Sequence, residues 1–324
     1  MKFTTTRPAL QRFMRGAAAA MMVAAVLAGC GGGSQVDPFE PRRLLSFGDE
    51  HSVINADGTK YTVNFVDATH PAPGDCFQNP IWIQSLAESY GKAYTVCPGT
   101  RSAAEATSIT YATVGAKVAD IATQVAKHTA TDSITGDDLV TVMVGQADIL
   151  EQYALYTDEA SEPALLAVLN ARGVALGKEV NAIVALGGKV LVALSPELAL
   201  SPFGINENAT KPGTKNRFTV LRDMQQAFNT GLRTSFINDG HFIGLLRPDE
   251  LFQDFVDNPD GYGFGNEVLA ACQTAAVLPN CNSTTLIPNG DATTYVWADS
   301  LQWSPGAHFR MYEQAHDRSS GNPF

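Results

Sequence analysis

Short apolar runs of strand length alternate along this chain with longer stretches of helical spacing. The clearest run is Leu139-Val140-Thr141-Val142-Met143-Val144-Gly145. It is rich in β-branched residues and follows the turn-forming Gly136-Asp137-Asp138, as expected of a strand buried on both faces. Residues 44–47 form a second run, stopped abruptly by Gly48-Asp49. Residues 189–194 form a third, closed by Ser195-Pro196, and residues 242–246 a fourth, after Asn238-Asp239-Gly240. Helical spacing is read over 79–90, over a stretch ending near 128, over the alanine-rich 162–186 up to Gly187-Gly188, and over 215–237. A further turn is predicted at 251–256 and a last helix at 305–316. Asn79 is predicted to cap the first helix, with Pro80 in its first turn and Gly91 at its end. Thr110 to Ala116 is a short, mostly apolar stretch, and Asp57-Gly58 reads as a hairpin turn between Val53-Ile54 and Tyr61-Thr62-Val63. Alternating strand and helix predicts an α/β fold, a parallel sheet between two layers of helices. No repeat or break marks a second domain, so residues 43–324 are predicted to form one domain. In such sheets, sites are built at the carboxyl ends of the strands.

The first residues follow a different logic. Lys2, Arg7, Arg12 and Arg15 precede an apolar run at 17–28, which is followed by Gly29-Cys30 and a Gly-Ser tether. This reads as a signal peptide over 1–29, too short for a retained membrane span. Leu27-Ala28-Gly29-Cys30 resembles a bacterial lipobox, which implies cleavage before Cys30, lipid on that cysteine, and a tethering linker over 30–42. An ordinary signal peptide cut near the same Ala-Gly is the alternative. Gly31 after the cysteine implies sorting to the outer membrane, so the expected protein is an exported lipoprotein on its periplasmic or surface face. The chain has 324 residues and a formal net charge of −11, and loss of the basic leader makes it more acidic. That argues against nucleic acid as a partner bound through a basic patch. With Cys30 lipidated, Cys76, Cys97, Cys272 and Cys281 remain, an even number that predicts two disulfides in an oxidising compartment. Three pairings are open, of which Cys76–Cys97 with Cys272–Cys281 is the simplest. No Cys-x-x-Cys or closely paired histidines suggest zinc, and no metal or other cofactor is expected. The oligomeric state is left open.

The candidate chemistry sits where the first strand stops, at Leu45-Ser46-Phe47-Gly48-Asp49-Glu50. This stretch resembles the first motif of the SGNH (GDSL) hydrolases, a Phe-Gly-Asp-Ser strand-turn bearing a serine nucleophile. Further similarity runs in order along the chain. It includes Asn79-Pro80-Ile81-Trp82, Tyr111-Ala112 with Gly115-Ala116, Gly145-Gln146-Ala147-Asp148, Leu194-Ser195-Pro196 and Phe228-Asn229. It continues with Asn258-Pro259, Tyr262-Gly263-Phe264, Cys272, and Asp299-Ser300-Leu301-Gln302-Trp303-Ser304-Pro305 with His308. The resemblance implies a flavodoxin-like, three-layer α/β/α domain and acyl-ester hydrolysis. There a serine attacks, a histidine takes its proton, an aspartate orients the histidine, and backbone N–H groups with an asparagine hold the oxyanion. Carried over position by position, the nucleophile is Glu50, the oxyanion glycine is Gly115, the asparagine is Ala147, the aspartate is Asp299 and the histidine is Gln302. The aspartate is present as Asp299, and of the serine, glycine, asparagine and histidine that name the family only the glycine is retained.

Losing a triad nucleophile or base alone costs a factor of about 10⁶ in kcat in the best-studied case. The resemblance therefore implies an SGNH-type fold without the family's serine-esterase chemistry, acting by binding or as a structural partner, with an acyl or glycan ligand. The alternative is an active carboxylesterase or lipase with an unconventional set around Glu50 and His308. Ser46, Ser52 and His51 are the other substitutes considered. Ser46 reads better as a strand hydroxyl, His51 as pointing away from Glu50, and His308 as a packing residue. For Glu50 two functional arrangements are expected. In one, its carboxylate takes the N–H of Gly115 and its own N–H and blocks the site. In the other, Asp49, Glu50, Asp148 and Asp299 form an acidic cluster for a hard cation or a sugar, as a cation-dependent adhesin would use. Tyr262, Phe264 and Trp303 read as packing, and His241 as a surface residue without a visible partner.

Overall fold

The computed structural model describes residues 39–211 and 213–321. The predicted signal peptide, Cys30 and the linker up to residue 38 lie outside them. Five strands form one sheet: β1 (Arg43–Gly48), β2 (Ile109–Thr110), β3 (Asp138–Met143), β4 (Lys189–Ala193) and β5 (Ile243–Leu246). Their order is β2-β1-β3-β4-β5, and every neighbouring pair is parallel. The register aligns Leu45 with Val140, Val140 with Val190, and Val190 with Ile243. The helices in chain order are α1 (Trp82–Ser89), α2 (Val118–Thr129), α3 (Gln146–Ala154), α4 (Glu162–Ala185), α5 (Pro202–Thr210), α6 (Arg217–Arg233), α7 (Pro248–Asp257), α8 (Pro259–Tyr262) and α9 (Pro305–Ser320).

The period of two along the strands divides the core into two layers. Leu45, Phe47, Val140, Val142, Val190 and Val192 face one side, where α2, α4 and α6 bring Ile121, Leu176 and Phe228. Leu44, Leu139, Leu191 and Leu246 face the other, against Trp82, Phe252 and Met311 from α1, α7 and α9. This is the predicted parallel sheet between two helical layers. Among the described residues no helix is long and apolar enough to cross a membrane.

Several local expectations are corrected. Asn79 does not cap α1: its backbone is left-handed (φ 47°) and its side-chain amide donates to the Val63 carbonyl. The helix starts two residues later than that cap would place it, and the Gln84 side chain turns back to accept the Ile81 N–H at 3.0 Å. The hairpin at Asp57-Gly58 is reduced to a tight turn with a single antiparallel bridge, Ile54 to Lys60, and no strands. Of the apolar stretch from Thr110, only the first residue is in a strand, at the sheet edge. Helices α3 and α5, and a two-stranded parallel sheet of β6 (Asn266–Ala270) and β7 (Tyr295–Trp297), lie where no element is read from the sequence. Each is short, so it carries few apolar repeats.

The disulfides take the local pairing, Cys76–Cys97 and Cys272–Cys281. Beside the first, Lys60 is fully buried, and its Nζ donates at 2.8 Å to the carbonyls of both Cys76 and Gln78. A neutral amine has two N–H donors, and both are taken. Burial pulls the Lys60 pKa down to about 7 against the opposing charge of Asp75. Between pH 7 and 10.5 the unfolded chain therefore holds a proton at this lysine that the folded chain does not, and stability rises with pH. The unfolding free energy of the wild type minus that of Lys60→Met should grow by roughly 1 kcal/mol per pH unit across that window in urea titrations. A difference independent of pH would show that Lys60 stays charged in the folded protein.

Candidate active site

The site is assembled at the carboxyl edge of the sheet. β1 ends at Gly48, whose backbone (φ 149°) runs so close to β3 that a Cβ there would lie 2.0 Å from the Met143 carbonyl oxygen. The Gln124 side chain from α2 clamps the same residue, accepting its N–H at 2.7 Å and donating to its carbonyl at 2.9 Å. The chain then makes one 3-10 turn, Glu50–Ser52, with Asp49 as its cap. That turn sends Glu50 and His51 in different directions.

Glu50 points into the site and is only 7% exposed. Its Oε2 accepts the backbone N–H of Gly115 at 2.8 Å. Its Oε1 accepts the side-chain amides of Gln146 at 2.9 Å and Gln302 at 3.0 Å. A carboxylate can only accept, so both glutamines must turn their NH₂ ends toward it. Three N–H donors thus converge on one carboxylate from the loop before α2, the first residue of α3 and the loop before α9. Three neutral donors aimed at one point can hold a negative charge, and here they hold a carboxylate of the protein itself.

The other candidates are held elsewhere. Asp299 accepts the backbone N–H groups of Leu301 and Gln302 at 2.8 and 2.7 Å, so it shapes the turn that presents Gln302 and orients no imidazole. Ala147 is half-buried and has no polar group. The amide donor on this turn is its neighbour Gln146, which the sequence reading misses. The motif register draws attention to position 147, whereas the turn at Gly145 (φ 136°) starts α3 with Gln146 directed at Glu50. The available signal was an amide side chain one residue from the expected asparagine.

The four carboxylates do not gather as a cation site: Asp49, Glu50 and Asp299 all act on His51, and Asp148 is engaged elsewhere. Asp148 accepts the Val118 N–H at 2.9 Å and pairs with Arg172 at 3.1 Å, fastening α2 and α4 to α3. Burial raises its pKa against those two partners. Asp49 bonds His51 Nδ1 at 2.9 Å. Among the described residues no group of three or more acidic, histidine or cysteine side chains could hold a metal ion.

No hydroxyl–imidazole pair is bonded at the site. Ser46 is buried between Tyr94 Oη at 2.6 Å and Thr141 Oγ1 at 2.7 Å. Ser52 is wholly buried and makes no side-chain hydrogen bond. His51 packs on Trp303 with ring centres 4.3 Å apart. Burial pulls its pKa down, but the charge and hydrogen bond of Asp49, with the charges of Glu50 and Asp299, carry it above the usual histidine value. His308, fully buried on α9, accepts the Trp82 N–H at 3.4 Å through Nδ1. Burial, helped by the charges of His51 and Lys60, holds its pKa well below the usual value. Phe264 and Trp303 are core residues, Tyr262 is half-buried, and exposed His241 does have a partner, Asp239 at 2.9 Å.

No protein-family model and no curated protein matches the sequence. Among solved structures the chain is similar to a member of the lipolytic protein G-D-S-L family from Veillonella parvula DSM 2008. The identity is 12%, with 84% of this chain and 95% of that one covered and a TM-score of 0.41. It is also similar to the acetylxylan esterase Axe2 of Geobacillus stearothermophilus, at 10% identity over 89% of this chain and 98% of that one, with a TM-score of 0.43. A single-residue variant of the same esterase gives 11% identity, 88% and 97% coverage, and a TM-score of 0.45.

The convergence on Glu50 has a measurable cost of removal. Glu50→Ala leaves two buried side-chain amides, of Gln146 and Gln302, and the Gly115 N–H without their acceptor and should lower the unfolding free energy by about 1–3 kcal/mol in denaturant titrations. Amide exchange of Gly115 should speed up in the same variant. Unchanged stability together with unchanged Gly115 exchange would show that the carboxylate does not hold these donors in solution.

Proposed function

We propose that this protein has an SGNH (GDSL) hydrolase-type fold whose ester-cleaving site is closed by its own carboxylate, and that it works by binding rather than by hydrolysis. The observation that carries the reading is the Glu50 carboxylate lying in the donor set of Gly115, Gln146 and Gln302. The order of the motif residues along the chain supports the family. So does their gathering at one edge of a parallel sheet.

Acyl transfer needs a hydroxyl, a base that can take its proton, and donors aimed at the developing oxyanion. The donors persist here, but the other two requirements fail. Glu50 occupies the position of the hydroxyl, and Gln302 has no basic atom at neutral pH. An incoming ester carbonyl would also have to displace a bound carboxylate from the position its oxygen must occupy. Losing one oxyanion donor costs roughly 3–4 kcal/mol, so three donors already engaged oppose any acyl substrate strongly. His51 and His308 are buried and bonded elsewhere, which argues against their acting as substitutes.

The same reading places the protein outside the cytoplasm. The Leu-Ala-Gly-Cys order supports lipid on Cys30, and two disulfides fit an oxidising compartment. The domain would then sit at the outer membrane on a short Gly-rich tether.

Purified wild-type domain should leave short and medium p-nitrophenyl esters unhydrolysed. Glu50→Ser/Gln302→His, with and without Ala147→Asn, should gain turnover above background, because the variant frees the Gly115 and Gln146 donors and supplies a nucleophile and a base. Wild-type hydrolysis that disappears on changing Glu50 or His308 would overturn the proposal and identify a different catalytic set. Expressed in a bacterial host, the full chain should incorporate labelled fatty acid and fractionate with membranes. Cys30→Ser should do neither, and an unlabelled wild type would refute the lipid anchor.

A further inference from the structure

Beside the closed site lies an open cleft of about 370 Å³, at the small end of the range for small-molecule sites. Its walls come from α3, α5 and the start of α6. Two wall residues adjoin the Glu50 lock along the chain: Leu150, one helical turn after Gln146, and Leu301, immediately before Gln302. Tyr153, Tyr156 and Phe203 supply rings, with Tyr153 and Phe203 edge to face at 5.9 Å.

The charges around the cleft are unevenly matched. Glu207 is compensated, accepting from Tyr153 Oη at 2.8 Å and pairing with Lys211 at 2.7 Å. Two arginines further along α6 also have carboxylates, Glu197 for Arg222 and Asp249 for Arg233. Arg217 differs. Among the described residues it makes no direct ion pair, its charge helps, against burial, to hold the Glu207 carboxyl below its usual pKa, and its Nε is buried without a hydrogen-bond partner. Its guanidinium lies over the rings of Tyr156 at 4.8 Å and Tyr153 at 5.9 Å. Contact with the two rings holds the guanidinium in the cleft wall, where its terminal N–H groups can meet a planar acceptor.

We propose that this cleft binds an organic monocarboxylate, with the acid group on Arg217 and an apolar body on the aromatic and leucine walls. The inference rests on the reading that the protein acts by binding. Arg217 and Lys211 stand against Glu207 in the cleft wall, which leaves one net positive charge to match one negative charge, and Glu207 close by disfavours a dianion such as a phosphate monoester. A planar carboxylate meets a guanidinium through two parallel hydrogen bonds, which a neutral isostere cannot reproduce. The body can be aromatic, stacking on Tyr156 and Phe203, or an acyl chain lying along Leu150 and Leu301, and the two are separable by experiment.

Titration calorimetry with 3-phenylpropionate and with hexanoate, each against its primary amide, tests this. At least one acid should bind wild type about 10-fold or more tightly than its amide, and the tighter acid identifies the body. Arg217→Gln should abolish that preference, and Arg217→Lys, which keeps the charge but not the fork, should retain only part of it. Circular dichroism checks that both variants fold. Absence of binding by both acids, equal binding of acid and amide, or a preference that survives in Arg217→Gln would overturn the inference. The outcome is separable from the ester assay. An esterase-silent wild type that binds neither acid refutes the cleft alone, and one that binds an acid yet hydrolyses esters refutes the closed site alone.

Discussion

A carboxylate buried without a cation partner needs neutral donors, and the carboxyl edge of this sheet is arranged around that need. Glu50 receives one backbone and two side-chain N–H groups from three separate segments. A hydrogen bond to a charged group contributes about 1.5–3 kcal/mol, so the set offsets a substantial desolvation cost. The residues at positions 50, 146 and 302 therefore make sense only together. A histidine at 302 would offer a single N–H and a titratable ring. A glutamine offers a fixed neutral donor, which suits a carboxylate that stays in place.

Behind this layer the polar groups are isolated rather than linked. His51 faces Asp49 and Trp303, His308 meets the start of α1, and Ser52 is sealed from solvent. Catalysis by proton transfer requires a chain of bonded groups ending at an accessible atom. Here the imidazoles belong to the packing between the 3-10 turn, α1 and α9. Their opposite pKa displacements, His51 upward among carboxylates and His308 downward by burial, follow from their surroundings and need no reacting group.

The layered fold was legible because strands buried on both faces, such as residues 139–144, leave a continuous apolar run, and their helices carry long periodic faces. Elements of few residues were not legible. α3 is nine residues long and β2 only two, and β6 and β7 depend on each other and on the Cys272–Cys281 loop. Asn79 illustrates a second limit: Asn-Pro before an apolar run suits a cap, yet tertiary contact with Val63 places Asn79 in a left-handed conformation instead. At the site, position-by-position comparison identified Glu50, Gly115 and Gln302 but passed over Gln146. Motif register records which residue types a family uses, whereas the direction of a side chain depends on the local turn, here set by Gly145.

The lock also acts on its surroundings. Gln146 is the first residue of α3, and Gln302 ends the turn shaped by Asp299, so the bonds of Glu50 fix the two elements that carry Leu150 and Leu301. In an active esterase these elements would have to admit substrate to the donors and release product. Here Glu50 engages those donors, and the same bonds hold the walls of the adjoining cleft. Binding benefits from such rigidity, because less side-chain entropy is lost when a ligand arrives. The contacts that engage Glu50 are thus the same contacts that hold the neighbouring cleft in shape.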